Sequence, residues 1–191
     1  SLTTVFHTAA GREVRDGGGV SPDIEVKQER LPNILFYLVR DNLIFDYATD
    51  YCLKHPAIAS AKEFELTDAD YEEFKNKVKG ADFKYDQQSE KILNTLKEAA
   101  EFEGYMKDAS DEFKALENKL KHNLDRDLDY FSKDIKKMIA EEIIKRYYYQ
   151  EGAIIQQLKD DKDLDEAVKV LTNPERYQQI LSVTAVTAKK E

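Results

Sequence analysis

The sequence predicts a mainly α protein, a multi-helix, bundle-like domain preceded by a short β-hairpin. Three observations lead there. From Leu31 onward, apolar residues recur three and four apart through most of the chain, the period of an amphipathic helix. Charged residues make up 35% of the 191, with only 7 glycines and no tryptophan, a balance that suits helices with large solvated faces. The start differs in kind. Residues 2 to 8, LTTVFHT, are rich in Thr, Val and Phe, a small-residue turn follows, and REVR alternates, so two short strands are expected. Two strands are too little sheet to be stable alone, and their edges ask for neighbours.

The glycine run Gly17-Gly18-Gly19 lets the chain leave the strands, and Pro22 sends it out extended toward Ile24 and Val26. Pro32 then suits a first helical position. Ile34, Leu35, Leu38, Val39, Phe45, Tyr47, Ala48, Tyr51 and Cys52 cover most of the circumference of one helix over 33–54, which places it in the middle of a bundle. Asn42, Asp46 and Asp50 form its polar stripe, and Pro56 bounds it. Thr67 caps a helix over DADYEEFKNKVK that Gly80 stops. The next runs from Asp86 to Phe102, burying Ile92, Leu93, Leu96 and Ala100, and ends at Gly104.

The pattern restarts at Asp108 or Ser110. Phe113, Leu116, Leu120, Leu124, Leu128, Phe131, Ile135, Met138 and Ile143 carry it on as one long helix or two nearly collinear ones across 110–149, with a bend expected near Asn123 and Asp125. Gly152 interrupts again, DKDLDEAVKVL reads as a short helix, and Asn173-Pro174 starts the last. The tail 183–191 is expected to fray. The organisation read from these signals is 1–27, strands and glycine loop; 28–182, helical domain; 183–191, tail.

Several functions are excluded by composition. A formal net charge of -9 without a Lys/Arg block leaves no basic stripe for nucleic acid. No stretch approaches the roughly 20 apolar residues of a membrane helix, and SLTTVFHT lacks the regions of a signal peptide. The chain opens without an initiator Met, which suggests a piece of something longer. Its one cysteine, Cys52, sits among apolar residues and reads as packed rather than reactive.

Candidate chemistry is thin. The glycine loop is followed by Pro22 and an extended stretch, whereas a dinucleotide loop must open a helix. His7, His55 and His122 are far apart and no two metal-ligand residues share a helical face in a known pattern. Asp46 with Asp50, and Glu141 with Glu142, resemble carboxylate pairs, but Lys136, Lys137, Lys145 and Arg146 stand near the second at helical spacing, so ion pairing accounts for it. Ser132 and Lys136 are four apart with no oxyanion hole in view. The reading is therefore of no catalytic residue, no cofactor and no metal in these residues. The most suggestive group is Tyr147-Tyr148-Tyr149. At about 100° per residue the three rings cannot all face one core, so at least one is exposed and suited to partner contact.

Leu2-Thr3-Thr4, Phe6, Thr8, Gly11-Arg12, Val14, Gly19-Val20 and Pro22-Asp23-Ile24 together resemble the closing segment of the carboxy-terminal processing peptidases, also called tail-specific proteases. That segment reads as LTT, an aromatic, Thr, a Gly-Arg pair, a β-branched residue, then Gly-Ile-x-Pro-Asp-Ile. The likeness covers about 25 residues. Val20 stands where Ile is usual, and the glycine run is an addition.

The resemblance implies that 1–27 are the last strands of a serine endopeptidase core whose Ser nucleophile, Lys base and peptide-binding PDZ module all lie upstream of residue 1. No Ser or Lys here inherits those roles. It implies a helical C-terminal region that supports the core, assists oligomerisation or positions substrate. The implied partners are the protease and PDZ domains of the same parent chain and the parent's protein substrates, with a homodimer or strand exchange between copies as a candidate assembly. The implied location is the bacterial periplasm or cell envelope. The competing expectation is a stand-alone helical protein-interaction module with the first 27 residues as an arm.

Overall fold

The computed structural model describes residues 4–17, 19, 22–27 and 30–182. The tail 183–191, and the Leu2, Thr3, Gly18 and Val20 positions discussed above, lie outside the described residues. Among the described residues the protein is mainly α, with nine α-helices and one antiparallel two-stranded hairpin, as the sequence predicts. Two compact units arise from the contacts. One comprises the described residues of Ser1–Glu29 and Leu158–Glu191, the other Arg30–Gln157. Helical periodicity alone groups 158–182 with the preceding helices, whereas the contacts group them with the amino-terminal strands.

In the first unit β1 (Val5–His7) pairs with β2 (Glu13–Arg15) in the register Phe6 opposite Val14. The turn between them is closed by Gly11, at φ 81°, and by Thr8, whose hydroxyl accepts from the Arg12 amide at 3.1 Å. Arg12 then ion-pairs with Asp23 and donates to the Ile180 carbonyl at 3.3 Å. The Gly-Arg and Pro-Asp pairs of the resemblance thus meet in space: one salt bridge ties the hairpin to the strand exit. Leu158–Asp160 form a single 3-10 turn, followed by α8 (Lys162–Leu171), capped by Asp161, and α9 (Pro174–Leu181), capped by Asn173 with Pro174 in its first turn. Arg176 joins the two helices by bonding Glu166 at 2.5 Å.

The second unit holds α1 (Asn33–Arg40), α2 (Leu43–Lys54), α3 (Asp68–Gly80), α4 (Gln88–Phe102), α5 (Met106–Leu120), α6 (Leu124–Tyr130) and α7 (Ser132–Gln157). Its core is built where α2 lies along α7 and where α1, α3 and α6 close around them. There Leu38, Ala48, Phe74, Val78, Leu128, Ile139 and Ile143 are buried. Thr67 accepts from the Asp70 amide while Asp70 accepts from the Thr67 amide, a full capping box at the start of α3. Gly104, at φ 84°, ends α4 with Tyr105 N–H bonded to the Ala100 carbonyl and Gly104 N–H to that of Glu101.

Four expectations change. The single helix over 33–54 is two. Asn42 takes a left-handed conformation at φ 58°, and α1 and α2 each bury only one face, leaving Phe36, Val39, Phe45 and Leu53 exposed. Asparagine is one of the few residues with a side chain that visit that conformation readily, so the break is compatible with an uninterrupted apolar period. On α4, Leu93 and Ala100 are buried as expected, but Ile92 and Leu96 are 58% and 52% exposed, because α4 packs mainly on α5 and its other face is open. The stretch after Gly104 restarts at Met106, and 110–149 is three helices. α5 stops at Leu120, Asn123 caps α6 through the Arg126 amide at 3.0 Å, and Phe131 leaves the helical conformation before α7. The bend expected near Asn123 is thus a complete break.

The fourth change concerns α7. Gly152 does not interrupt it; Tyr149 does, at φ 56° and ψ -152°. That conformation is close to glycine-only territory and costs a residue with a Cβ on the order of 1–3 kcal/mol. Tyr149 is also 78% exposed, so its ring gives back little by packing. Tyr149→Gly is therefore expected to stabilise the chain by about 1 kcal/mol, read as a higher urea midpoint at constant slope. A lower midpoint would mean that the ring contributes more than the backbone strain removes.

Candidate functional site

Two constellations bring polar groups together within Arg30–Gln157. The first is made by the tyrosines on α7. Tyr147 donates its hydroxyl to the His55 carbonyl, Tyr148 donates to that of Ala59 at 3.1 Å, and Gln156 donates to those of Ala61 and Phe64 at 2.8 and 3.0 Å. Each partner lies on the connector between α2 and α3, whose carbonyls belong to no helix ladder and need donors. Tyr147 and Tyr148 thus fasten that connector, and of the three only Tyr149 is largely free of its own chain. Gly152 sits beside Tyr148 and Ile144, close enough that a Cβ built on it would lie 2.8 Å from Ile144 Cγ2.

The second is a cleft of about 610 Å³ where the first turns of α1 and α4 meet α6. Its floor is Asp127, 3% exposed. Oδ2 of Asp127 accepts from Tyr85 Oη at 2.6 Å and Gln87 Nε2 at 2.8 Å, and Oδ1 accepts from Arg126 Nη1 at 2.6 Å. Arg126 is itself mostly exposed and its guanidinium lies 5.2 Å from the Tyr130 ring centroid. Arg30, Leu31, Pro32 and Phe131 also line it, as does Asp86, which pairs with Lys91 at 2.6 Å. The Tyr85 ring is fixed from the side by His122 at 4.4 Å. A buried carboxylate met by three donors is a satisfied network, and it presents an oriented arginine at the surface of a cleft whose size suits a small ligand.

Several phenols are held protonated. Burial, followed by the nearby Asp127 carboxylate, raises Tyr85 well above the ordinary range, and burial first of all does the same for Tyr47 and Tyr71. Burial and then Cys52 push Tyr147 up to about 12. In the unfolded chain each would ionise near pH 10. The stability these groups contribute is complete below about pH 10 and is lost as pH rises toward the folded values, because the unfolded state releases its protons first. Absorbance of phenolate on alkaline titration is expected to divide the chain's 11 tyrosines into an early class and a late one that appears only with unfolding. A single early transition for all of them would contradict the burial of Tyr47, Tyr71 and Tyr85.

The other residues singled out from sequence are placed as follows. Lys77 donates to Asp50 at 2.5 Å, and that contact holds the Asp50 carboxyl below the usual carboxylate pKa, while Asp46 is four residues away in the first turn of α2. Glu141 pairs with Lys145 at 3.0 Å and Glu142 with Arg146 at 2.8 Å. Lys136 donates to Asp68 at 2.5 Å and lies over the Tyr71 ring, so it is a paired ammonium rather than a base for Ser132. His55 closes α2 stacked on Tyr51, His7 lies in β1, and Cys52 packs partly buried at the edge of the core. Among the described residues no three His, Cys, Asp or Glu side chains gather as a metal site would need, and no helix is long and apolar enough to cross a membrane.

Asp127, Tyr85, Gln87 and Arg126 were not singled out by sequence reasoning. A signal was there: Asp127 falls three residues after Leu124 and four before Phe131, an acidic residue on the face of the apolar period.

Comparison with known families identifies the chain's family. The family model described as probable PDZ-protease, C-terminal helical domain, covers residues 34–171. The chain matches no curated protein and no solved structure. The covered span takes in all of α1 but its first residue, α2 to α8, the α7 tyrosines and the Asp127 network, and leaves out the hairpin and the Arg30, Leu31 and Pro32 side of the cleft.

Proposed function

We infer the role of this chain from the family to which it belongs, the C-terminal helical domains of probable PDZ-proteases: it is a non-catalytic region that supports its parent's protease core and helps position protein substrates. The match over 34–171 is the observation that carries this reading. The hairpin supports it. Phe6 and Val14, paired across the two strands, are both exposed, and a two-stranded ribbon with an uncovered apolar pair fits the edge of a larger sheet.

On this reading the finer assignments follow the resemblance in the first 27 residues. The parent is a serine-type carboxy-terminal processing peptidase with its Ser/Lys dyad upstream of residue 1, working in the bacterial periplasm or cell envelope. Its PDZ and protease domains are the partners of this region, and the hairpin completes the protease sheet. Tyr149 serves as a contact to those domains or to a second copy, since a strained, exposed aromatic ring gains most from a surface outside its own chain.

The test compares the full parent with a version truncated after Val26, on a short peptide, a long unfolded protein and a folded one, with light scattering for assembly. Retained peptide cleavage with lost turnover of folded or long substrates, or altered assembly, is the expected result. A truncated parent indistinguishable in turnover and in assembly would remove the supporting role and leave a stand-alone interaction module.

A further inference from the structure

The cleft between α1, α4 and α6 is built asymmetrically, and the asymmetry is chemical. Of its two carboxylates, Asp127 is buried and fully engaged, so it cannot serve a ligand directly, and Asp86, at the rim, is neutralised by Lys91 at 2.6 Å. Its guanidinium is mostly exposed, and one bond to Asp127 leaves most of its five N–H donors available. The bond to Asp127 on one side and the Tyr130 ring on the other limit where those donors can point. An arginine fixed in this way loses little entropy on binding a planar anion. Arg30, on the same cleft, makes no ion pair with another described residue. Beside these two cations, Leu31, Pro32 and Phe131 offer an apolar wall, and Leu31 is 69% exposed, an uncovered surface of the kind that an apolar side chain would bury.

We propose that this cleft is a receptor for a polypeptide carboxylate, held by Arg126 and Arg30 with the adjoining apolar side chain against Leu31, Pro32 and Phe131. Asp127 is its positioning residue: it sets the guanidinium and does not touch the ligand. A guanidinium fork binds a carboxylate through two parallel hydrogen bonds, which favours it over a point-like anion. The idea rests on the substrate-positioning part of the proposed function, for which it supplies a site. The carboxylate has two sources, the free C-terminus of a chain or a Glu side chain within one.

The experiment uses the 191-residue chain and fluorescence anisotropy of three labelled hexapeptides. One ends in leucine with a free acid, one is the same peptide amidated, and one is amidated with an internal Glu beside leucine. Binding of the free acid with loss on amidation is expected; binding of the Glu peptide as well identifies the shared carboxylate as the feature read, and its failure to bind assigns the site to chain termini. Arg30→Gln, an exposed change that leaves the Asp127 network whole, is expected to weaken the free-acid peptide about tenfold, and Arg30→Lys to restore part of that loss. Arg126→Gln should abolish binding, with circular dichroism confirming the fold. Equal binding of acid and amide, binding of neither carboxylate peptide at millimolar concentration, or indifference to Arg30→Gln would each overturn the proposal. Proteolysis is not part of the readout, so a null here leaves the supporting role standing, and a failed truncation experiment leaves the receptor standing.

Discussion

Gly152→Ala is expected to lower the stability of the chain by about 2–3 kcal/mol, against the usual direction of a glycine-to-alanine change in a helix. In an open helix the added methyl would be favourable by up to ~1 kcal/mol. Here it would collide with the Cβ of Tyr148 and stand 2.8 Å from Ile144 Cγ2. Neither obstacle is the far end of a flexible side chain. Tyr148 cannot retreat without leaving the Ala59 carbonyl, and Ile144 is fully buried. Relief requires the arm of α7 beyond Tyr149 to move away, and that arm carries Gln156, whose amide holds the Ala61 and Phe64 carbonyls. The methyl therefore loosens the connector between α2 and α3 as well as α7. Gly80→Ala is the control: it closes α3 with nothing within 4 Å of the added carbon, so stability should hold or rise by less than about 1 kcal/mol. Urea unfolding of both variants decides the matter, and equal midpoints for the two would mean that the bend in α7 has room to adjust.

The same bend illustrates where the sequence is readable. Thr67 with Asp70, Asn173 with Pro174, and Gly104 are local devices: each places a donor or acceptor within four residues of the group it satisfies, so the helix ends they make can be read from a short window. The apolar period on α7 is equally local, and Ile135, Ile139 and Ile143 are buried as their spacing implies. Gly152 was legible as special, but its purpose was not. Lack of a side chain permits either a turn or a close approach, and only the fold brings Tyr148 near enough to show the second. Asn42 breaks a period that continues on both sides, so the pattern of apolar residues carries no trace of it. The open face of α4 escapes the sequence for a related reason: periodicity identifies an apolar stripe, but not how many helices are at hand to cover it. In the cleft, Tyr85 and Gln87 are about forty residues from Asp127, and no window joins them.

Asp127→Ala is expected to be the more damaging change, by about 3–5 kcal/mol, because it removes one acceptor from several donors at once. Tyr85, Gln87 and Arg126 all spend a hydrogen bond on this carboxylate. Without it the Tyr85 hydroxyl is left unpaired in surroundings that already favour its neutral form, and a buried donor without a partner costs more than its bond contributed. Gln87 stands at the start of α4, so its release frees the first turn of that helix. The isosteric Asp127→Asn separates charge from shape. Its remaining oxygen can still take Tyr85 and Gln87, but its amide nitrogen then faces Arg126, donor against donor, and the guanidinium swings free. Asn should therefore retain more of the fold than Ala while losing the fixed arginine. The neighbouring Asp125 gives the scale of a surface effect: it pairs with Lys79 as an exposed carboxylate, and Asp125→Ala should change stability by less than about 1 kcal/mol. Unfolding curves for the three variants are expected in the order Asp125→Ala, Asp127→Asn, Asp127→Ala, from most to least stable. A midpoint for Asp127→Ala close to that of Asp125→Ala would mean that water replaces the carboxylate at no cost, and that the floor of the cleft is wet rather than buried.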